Sequence, residues 1–455
     1  MKKIFTLALF FCSLAMHCRA QFQVGAVTVT PHTLTHSLQV PWELVWGPDN
    51  FIWMTERYGR ISRVDPANGQ VHPLITIPDV LANGESGLLG MTLHPNFAQN
   101  PYVYVAYTYS KNGSATEKLV RYTYNGTTLA APQVLLDNIT AAAIHDGARL
   151  LILPDQTILF TTGDAANTSL SQNLNSLNGK ILRLNLDGSV PANNPIAGSY
   201  VYSFGHRNAQ GLTYGNGKIY SSEHGSSNDD ELNLIEPNRN YGWPNVEGFC
   251  NTSAEQTFCA TNNVREPLAA WTPTLAVAGI AYYNHPAIPG WQNSILMTTL
   301  KDKKLVQLQL DAAGTAVTSQ TIFLNNGYGR LHAICVSPSG KVYIGTSNKD
   351  GKNNPAATDD RIVVLENLAF ATGIKGNTSE TKNVTFSQDF NKQKLYLLFS
   401  PEFRGNTFGL YSITGRKLLE QKVPTDLKTE LNTENFAKGL YFLQTGRTVQ
   451  KVIIP

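Results

Sequence analysis

Residues 153–164 read LPDQTILFTTGD. Pro154, Asp155 and Gln156 make a turn, because proline presets φ and aspartate bonds the backbone two residues on. Thr157 to Thr162 are β-branched or bulky and apolar, which suits a short strand. Gly163 and Asp164 then end it. The same cadence of turn, strand and polar loop returns in GPDNFIWMTERYGRISRVD (47–65), HPNFAQNPYVYVAYTY (94–109), GNGKIYSSEHG (215–225) and SPSGKVYIGTSN (337–348). A less regular copy is WQNSILMTTLKDKKLVQLQLD (291–311). A unit that restarts every few tens of residues is one propeller blade of about four strands. No long segment has helical periodicity. We therefore expect an all-β fold: a six-bladed β-propeller within residues 21–366, followed by a small β-sandwich domain.

At 455 residues the chain exceeds one ordinary domain. A formal charge of +3 excludes a strongly basic nucleic-acid binder or an electrostatically held membrane protein. The first twenty residues, MKKIFTLALFFCSLAMHCRA, carry two lysines, a short apolar run and a small residue before Gln21, as a cleaved signal peptide does. No other segment has the roughly 20 apolar residues of a transmembrane helix, so an exported, soluble protein without a transmembrane segment is expected. In an oxidising compartment Cys250 and Cys259 of FCNTSAEQTFC would form a disulfide. Cys335 is left as a small buried hydrophobe. Residues 367–380 read as a polar linker and 381–455 as the second domain.

Loops of a propeller meet at its central opening, so distant polar residues can share one site. The candidates are His145 and Arg149, Asp164, His206, Arg207 and Asn208, Lys301, Arg330 and His332. The stretch HGSSNDDELNLI (224–235) adds Asp229, Asp230 and Glu231, either a solvated turn or a cation site.

Six segments, in order, carry a resemblance: GLLGMTLHPNFAQNPYVYVAYTY, HDGARL, NGKILRLNLDGSVPANNP, GHRNAQGL, SEHGSSNDDELNLI and NYGWPNVEG. Together they resemble the soluble quinoprotein sugar dehydrogenases, the glucose/sorbosone dehydrogenase family, which uses pyrroloquinoline quinone (PQQ) and calcium. The resemblance implies oxidation of an aldose sugar at its anomeric carbon and an electron acceptor that the sequence does not name. It makes His145 the base, Asp164 the carboxylate that orients it, and Arg207 the cation beside the quinone. Asn208, Thr274, Lys301, Arg330 and His332 fall at cofactor-binding positions. His332 replaces an arginine there, and Glu85 replaces a glutamine near the sugar. The carbonyls of Gly225 and Ser226 would face one calcium ion. Asp230, Glu231 and the Tyr241 carbonyl would hold a second. The alternative is a calcium-containing propeller that binds glycan or protein without catalysis.

The tail segments YSITGRKLL, LNTENFAKGLYFLQ and QKVIIP resemble the C-terminal sorting domain of proteins exported by the type IX secretion pathway. That implies passage through the periplasm to the cell surface or medium, with the secretion machinery as partner.

Overall fold

The structure is a computed structural model and describes residues 21–371, 384–389, 394–412, 416–434, 436, 439–445 and 448–454. The expected signal peptide and most of the expected linker lie outside these residues. The chain divides into two compact units, residues 1–373 and 374–455.

The first unit is a ring of six antiparallel sheets. In LPDQ the Gln156 N–H donates to the Leu153 carbonyl (2.9 Å), and Asp155 Oδ1 accepts from the Thr157 N–H (3.1 Å) and hydroxyl (2.7 Å). That turn launches the strand Thr157–Thr162, which is buried along its whole length. It pairs with Gly147–Ile152 on one side and Lys180–Asn185 on the other, and Val201–Phe204 completes the blade. Flanking blades cover both faces of such a middle strand, which explains its unbroken β-branched and apolar run. Trp42, Tyr104, Ala148, Phe160 and Leu182 come from three blades and share one apolar cluster.

Five sheets are each built from four consecutive strands, and the sixth is closed differently. Its strands Leu331–Val336, Val342–Thr346 and Ile362–Glu366 are completed by Val27–Thr35 from the chain's beginning, with Thr30 opposite Glu366 and Thr35 opposite Ile362. The last blade thus clasps the first part of the chain and locks the ring. The innermost strands, Pro41–Trp46, Leu88–Leu93, Gly147–Ile152, Ala209–Gly215, Val277–Tyr283 and Leu331–Val336, contact one another in sequence around the axis.

A short helix absent from the strand reading spans Ser253–Thr261, capped reciprocally by Thr252 and Glu255. The T-x-x-E spacing was its signal. Cys259 on this helix is bonded to Cys250, and Cys335 is free and buried. The expected linker begins with one helical turn, Leu368–Ala371, anchored where Asn367 donates to the Ala287 carbonyl (2.8 Å).

The second unit pairs a three-stranded sheet with a four-stranded one. Leu395, Leu397 and Phe399 from the first and Phe408, Leu410, Leu443 and Val452 from the second fill a common core.

Candidate active site

A cavity of about 340 Å³ opens where the six innermost strands begin. Trp42, Leu89, Gly147, Gln210, Ala276 and His332 line it, one from each blade, so it lies on the ring's axis. Its size is that of a small-molecule site. Of the residues singled out in the sequence, Glu85, His145, Arg207, Gly225, Ser226, Asp230, Thr274, Lys301, Arg330 and His332 all face it.

His145 stands just before the inner strand of the third blade with a left-handed backbone (φ 64°). For a non-glycine residue this is a strained conformation of the kind found at functional sites. Gly163 makes it possible, since a Cβ there would lie 1.7 Å from the His145 carbonyl oxygen. Nδ1 of His145 is 2.8 Å from Oδ1 of the fully buried Asp164. That carboxylate also accepts from the Ala166 N–H (2.8 Å) and, through Oδ2, from the Trp243 indole (2.9 Å). With every bond to Asp164 donated by its partner, Nδ1 carries the hydrogen and Nε2 is left as the acceptor.

Arg207 lies over the Trp243 ring at 5.2 Å. Its Nη1 donates to the His224 carbonyl (3.3 Å), and its buried Nε has no partner among the described residues. One indole therefore touches both the carboxylate that orients His145 and the guanidinium. Trp243 belongs to the NYGWPNVEG segment, yet its role was not read from it. Glu223, also missed, accepts from the Arg207 and Asn208 main-chain N–H groups and pairs with His206 (2.9 Å), which stacks on Tyr241. His206 is thus a buried structural residue. Arg149 is likewise spent, paired with the buried Glu43 beneath Trp42.

Asn208 does not line the cavity. Its Oδ1 accepts from the Gly147 N–H and Gln210, while its buried Nδ2 lacks a partner among the described residues. Lys301 donates to the Thr274 hydroxyl (3.0 Å) and meets no carboxylate among the described residues, since Asp302 pairs with Lys304 instead. Arg330, isolated in sequence, is paired with Asp350 at 2.6 Å. Glu85 is bridged to Lys352, a contact across 267 residues. Burial pushes the Glu85 pKa up, but the Lys352 bond and the nearby histidines outweigh it and hold the carboxyl below its usual range. Beside His145, Asp146 is raised to about 7 by burial and by the charge of Glu85. His332 is driven well below its ordinary value by burial and the Arg149 charge, and its Nδ1 lies 2.9 Å from the Trp42 carbonyl.

The acidic cluster is divided, contrary to the expected second ion site. Asp230 and Glu231 are successive residues of the strand Asp230–Ile235, so their side chains point to opposite faces. Asp230 faces the main cavity and accepts from the main-chain N–H groups of Gly225, Leu275 and Val277. Glu231 and Tyr241 instead line a separate pocket of about 20 Å³ with Glu223, Asp229 and Glu247. Burial and the Glu223 charge raise Glu231 to about 8. Among the described residues, no three carboxylate, imidazole or thiol side chains converge in a metal-ligating geometry. A cation here would draw on main-chain oxygen and solvent as well, the hard donors calcium accepts.

The wall suits a polyanion. Among the described residues, Arg57, Arg207 and Lys301 face the cavity without a carboxylate partner, and the buried Nε donors of Arg57 and Arg207 are unspent. These residues fit a quinone bearing three carboxylates.

Residues 38–357 match the family model described as Glucose / Sorbosone dehydrogenase, and residues 391–455 match the Secretion system C-terminal sorting domain. The chain is 34% identical over 395 residues to quinoprotein glucose dehydrogenase B of Acinetobacter calcoaceticus, covering 67% of this chain and 82% of that protein. It is 29% identical to an aldose sugar dehydrogenase of Escherichia coli, covering 71% and 92%. The solved PQQ-bound aldose sugar dehydrogenase from Streptomyces coelicolor is 35% identical, with a TM-score of 0.66 over 74% of this chain and 98% of that one. The chain therefore belongs to the glucose/sorbosone dehydrogenase family and carries a C-terminal secretion sorting domain.

Proposed function

We propose that this is an exported PQQ- and calcium-dependent dehydrogenase that oxidises aldoses at the anomeric carbon to lactones. The observation that carries the reading is the imidazole of His145, oriented by Asp164 and facing a cavity that it shares with Arg207 and other unneutralised cations. Lys301, Thr274 and Arg330 would hold the quinone, with Asn208 bracing the wall behind through the Gly147 N–H, and the Gly225–Ser226 loop would supply oxygen ligands to calcium. When bound, the quinone supplies the hydride acceptor, and calcium polarises it as a Lewis acid.

The protein's own part is proton management and orientation. His145 Nε2 takes the proton of the anomeric hydroxyl as the C–H bond breaks. Asp164 stabilises the imidazolium that forms and keeps the productive tautomer. Arg207 places fixed positive charge in the cavity where negative charge grows, at no cost of reorganisation during reaction. Glu85 and Lys352 present an acceptor and a donor to sugar hydroxyls. The sorting domain would direct the folded enzyme to the cell surface or medium.

The test is reconstitution with PQQ and calcium, followed by dye reduction with a panel of aldoses. Turnover of at least one aldose is expected. A protein that binds the quinone and oxidises none of them is a binder, and the enzymatic reading fails.

A further inference from the structure

Arg57 contributes positive charge to the cavity wall but has so far been given no contact of its own. It follows the strand Ile52–Glu56 of the first blade and faces the cavity while only 8% exposed. Its Nη2 donates to the Tyr58 hydroxyl (2.9 Å), its guanidinium lies 5.0 Å from the Tyr58 ring centre, and its buried Nε has no partner among the described residues. Three other cations of the cavity and its surroundings are neutralised: Arg330 by Asp350, Lys352 by Glu85 and Arg149 by Glu43. Arg57 forms no such ion pair among the described residues. A guanidinium taken out of water without a counter-charge is costly, so its retention in a cavity wall points to an anion supplied from outside the chain.

The adjoining wall says which anion. The Arg57 N–H donates to the Val40 carbonyl (3.1 Å), just ahead of the strand that carries Trp42, and the Trp42 ring packs at 5.0 Å on His332. Arg57 and His332 thus belong to the same stretch of wall, where the sixth and first blades meet. A carbonyl oxygen only accepts, so the Nδ1 of His332 spends its hydrogen on Trp42 and the ring offers a bare nitrogen to the cavity. Burial and the Arg149 charge keep it neutral. The residue expected to meet a cofactor carboxylate here brings no charge.

We propose that Arg57 binds a carboxylate of the quinone, supplying the positive charge that His332 does not. The proposal rests on the quinone reading of the cavity. Its forked donors match a carboxylate in a way that an ammonium does not.

The experiment titrates PQQ into calcium-loaded wild type, Arg57→Gln and Arg57→Lys, following the cofactor's absorbance. Circular dichroism and melting establish that each variant is folded. Arg57→Gln is expected to weaken PQQ binding by about 10- to 100-fold, with partial rescue in Arg57→Lys. At saturating PQQ, the KM for a neutral aldose is expected to be unchanged. Equal affinity of wild type and both variants overturns the proposal while leaving the quinone reading intact. A rise confined to the KM for a uronic acid assigns the guanidinium to an acidic substrate and overturns it too. Failure of the wild type to bind PQQ overturns the quinone reading itself.

Discussion

Asp164→Asn isolates what the buried carboxylate does for His145. The aspartate accepts three hydrogen bonds and donates none: from the imidazole Nδ1 (2.8 Å), the Ala166 N–H (2.8 Å) and the Trp243 indole (2.9 Å). An asparagine of the same shape cannot serve both sides. If its oxygen faces the imidazole, its NH2 meets the indole donor. If it flips to accept from the indole, its NH2 meets Nδ1, which must then become the acceptor. Nε2 would carry the hydrogen and have no lone pair for the substrate. The first arrangement keeps the tautomer but loses the anion, and a hydrogen bond to a charged group contributes about 1.5–3 kcal/mol, or about 10- to 100-fold in kcat. The second disables the base and raises the loss toward about 10⁴-fold, the scale seen when a tautomer-fixing carboxylate is amidated elsewhere. The assay is steady-state kcat with an oxidisable aldose at saturating PQQ, with cofactor affinity measured separately by titration. A kcat within about threefold of wild type, at unchanged PQQ affinity, would refute the assignment of His145 as a base oriented by Asp164.

Gly163→Ala places a methyl group 1.7 Å from the His145 carbonyl oxygen, so one backbone must move; we expect a stability loss of about 1–3 kcal/mol in urea unfolding and a fall in kcat of about 100-fold. Wild-type stability with normal turnover would show that the close approach is not needed. Asp146 retains its proton in the fold up to about pH 7 but loses it near 3.8 when unfolded, so unfolding releases a proton between those values and its contribution to stability falls as pH rises. At about 1.4 kcal/mol per unit, Asp146→Asn should gain up to about 4 kcal/mol over wild type between pH 4 and pH 8. Parallel stability curves for the two proteins would exclude the raised carboxyl.

The blades were legible because their information is local. A turn such as LPDQ and the strand it launches lie within a dozen residues, and their repetition shows through irregular copies. The order of His145, Asp164 and Arg207 was legible too, since each sits where an inner strand starts or a middle strand ends, and such positions face the opening. What the sequence hides is cancellation of charge. Arg330 has few charged neighbours along the chain, yet the next loop of its own blade returns Asp350 to it at 2.6 Å. Lys301 is followed by Asp302, Lys303 and Lys304 and reads as a solvated run, but Asp302 pairs with Lys304 and leaves Lys301 to the cavity. The same inversion separates Asp230 from Glu231, because adjacency along a strand means opposite faces in space. Which cation remains to meet a ligand is thus decided by loops that converge from different parts of the ring. By that criterion Arg57, hidden between Glu56 and Tyr58 in an ordinary strand ending, is as strong a ligand-binding candidate as Lys301, and stronger than Arg330.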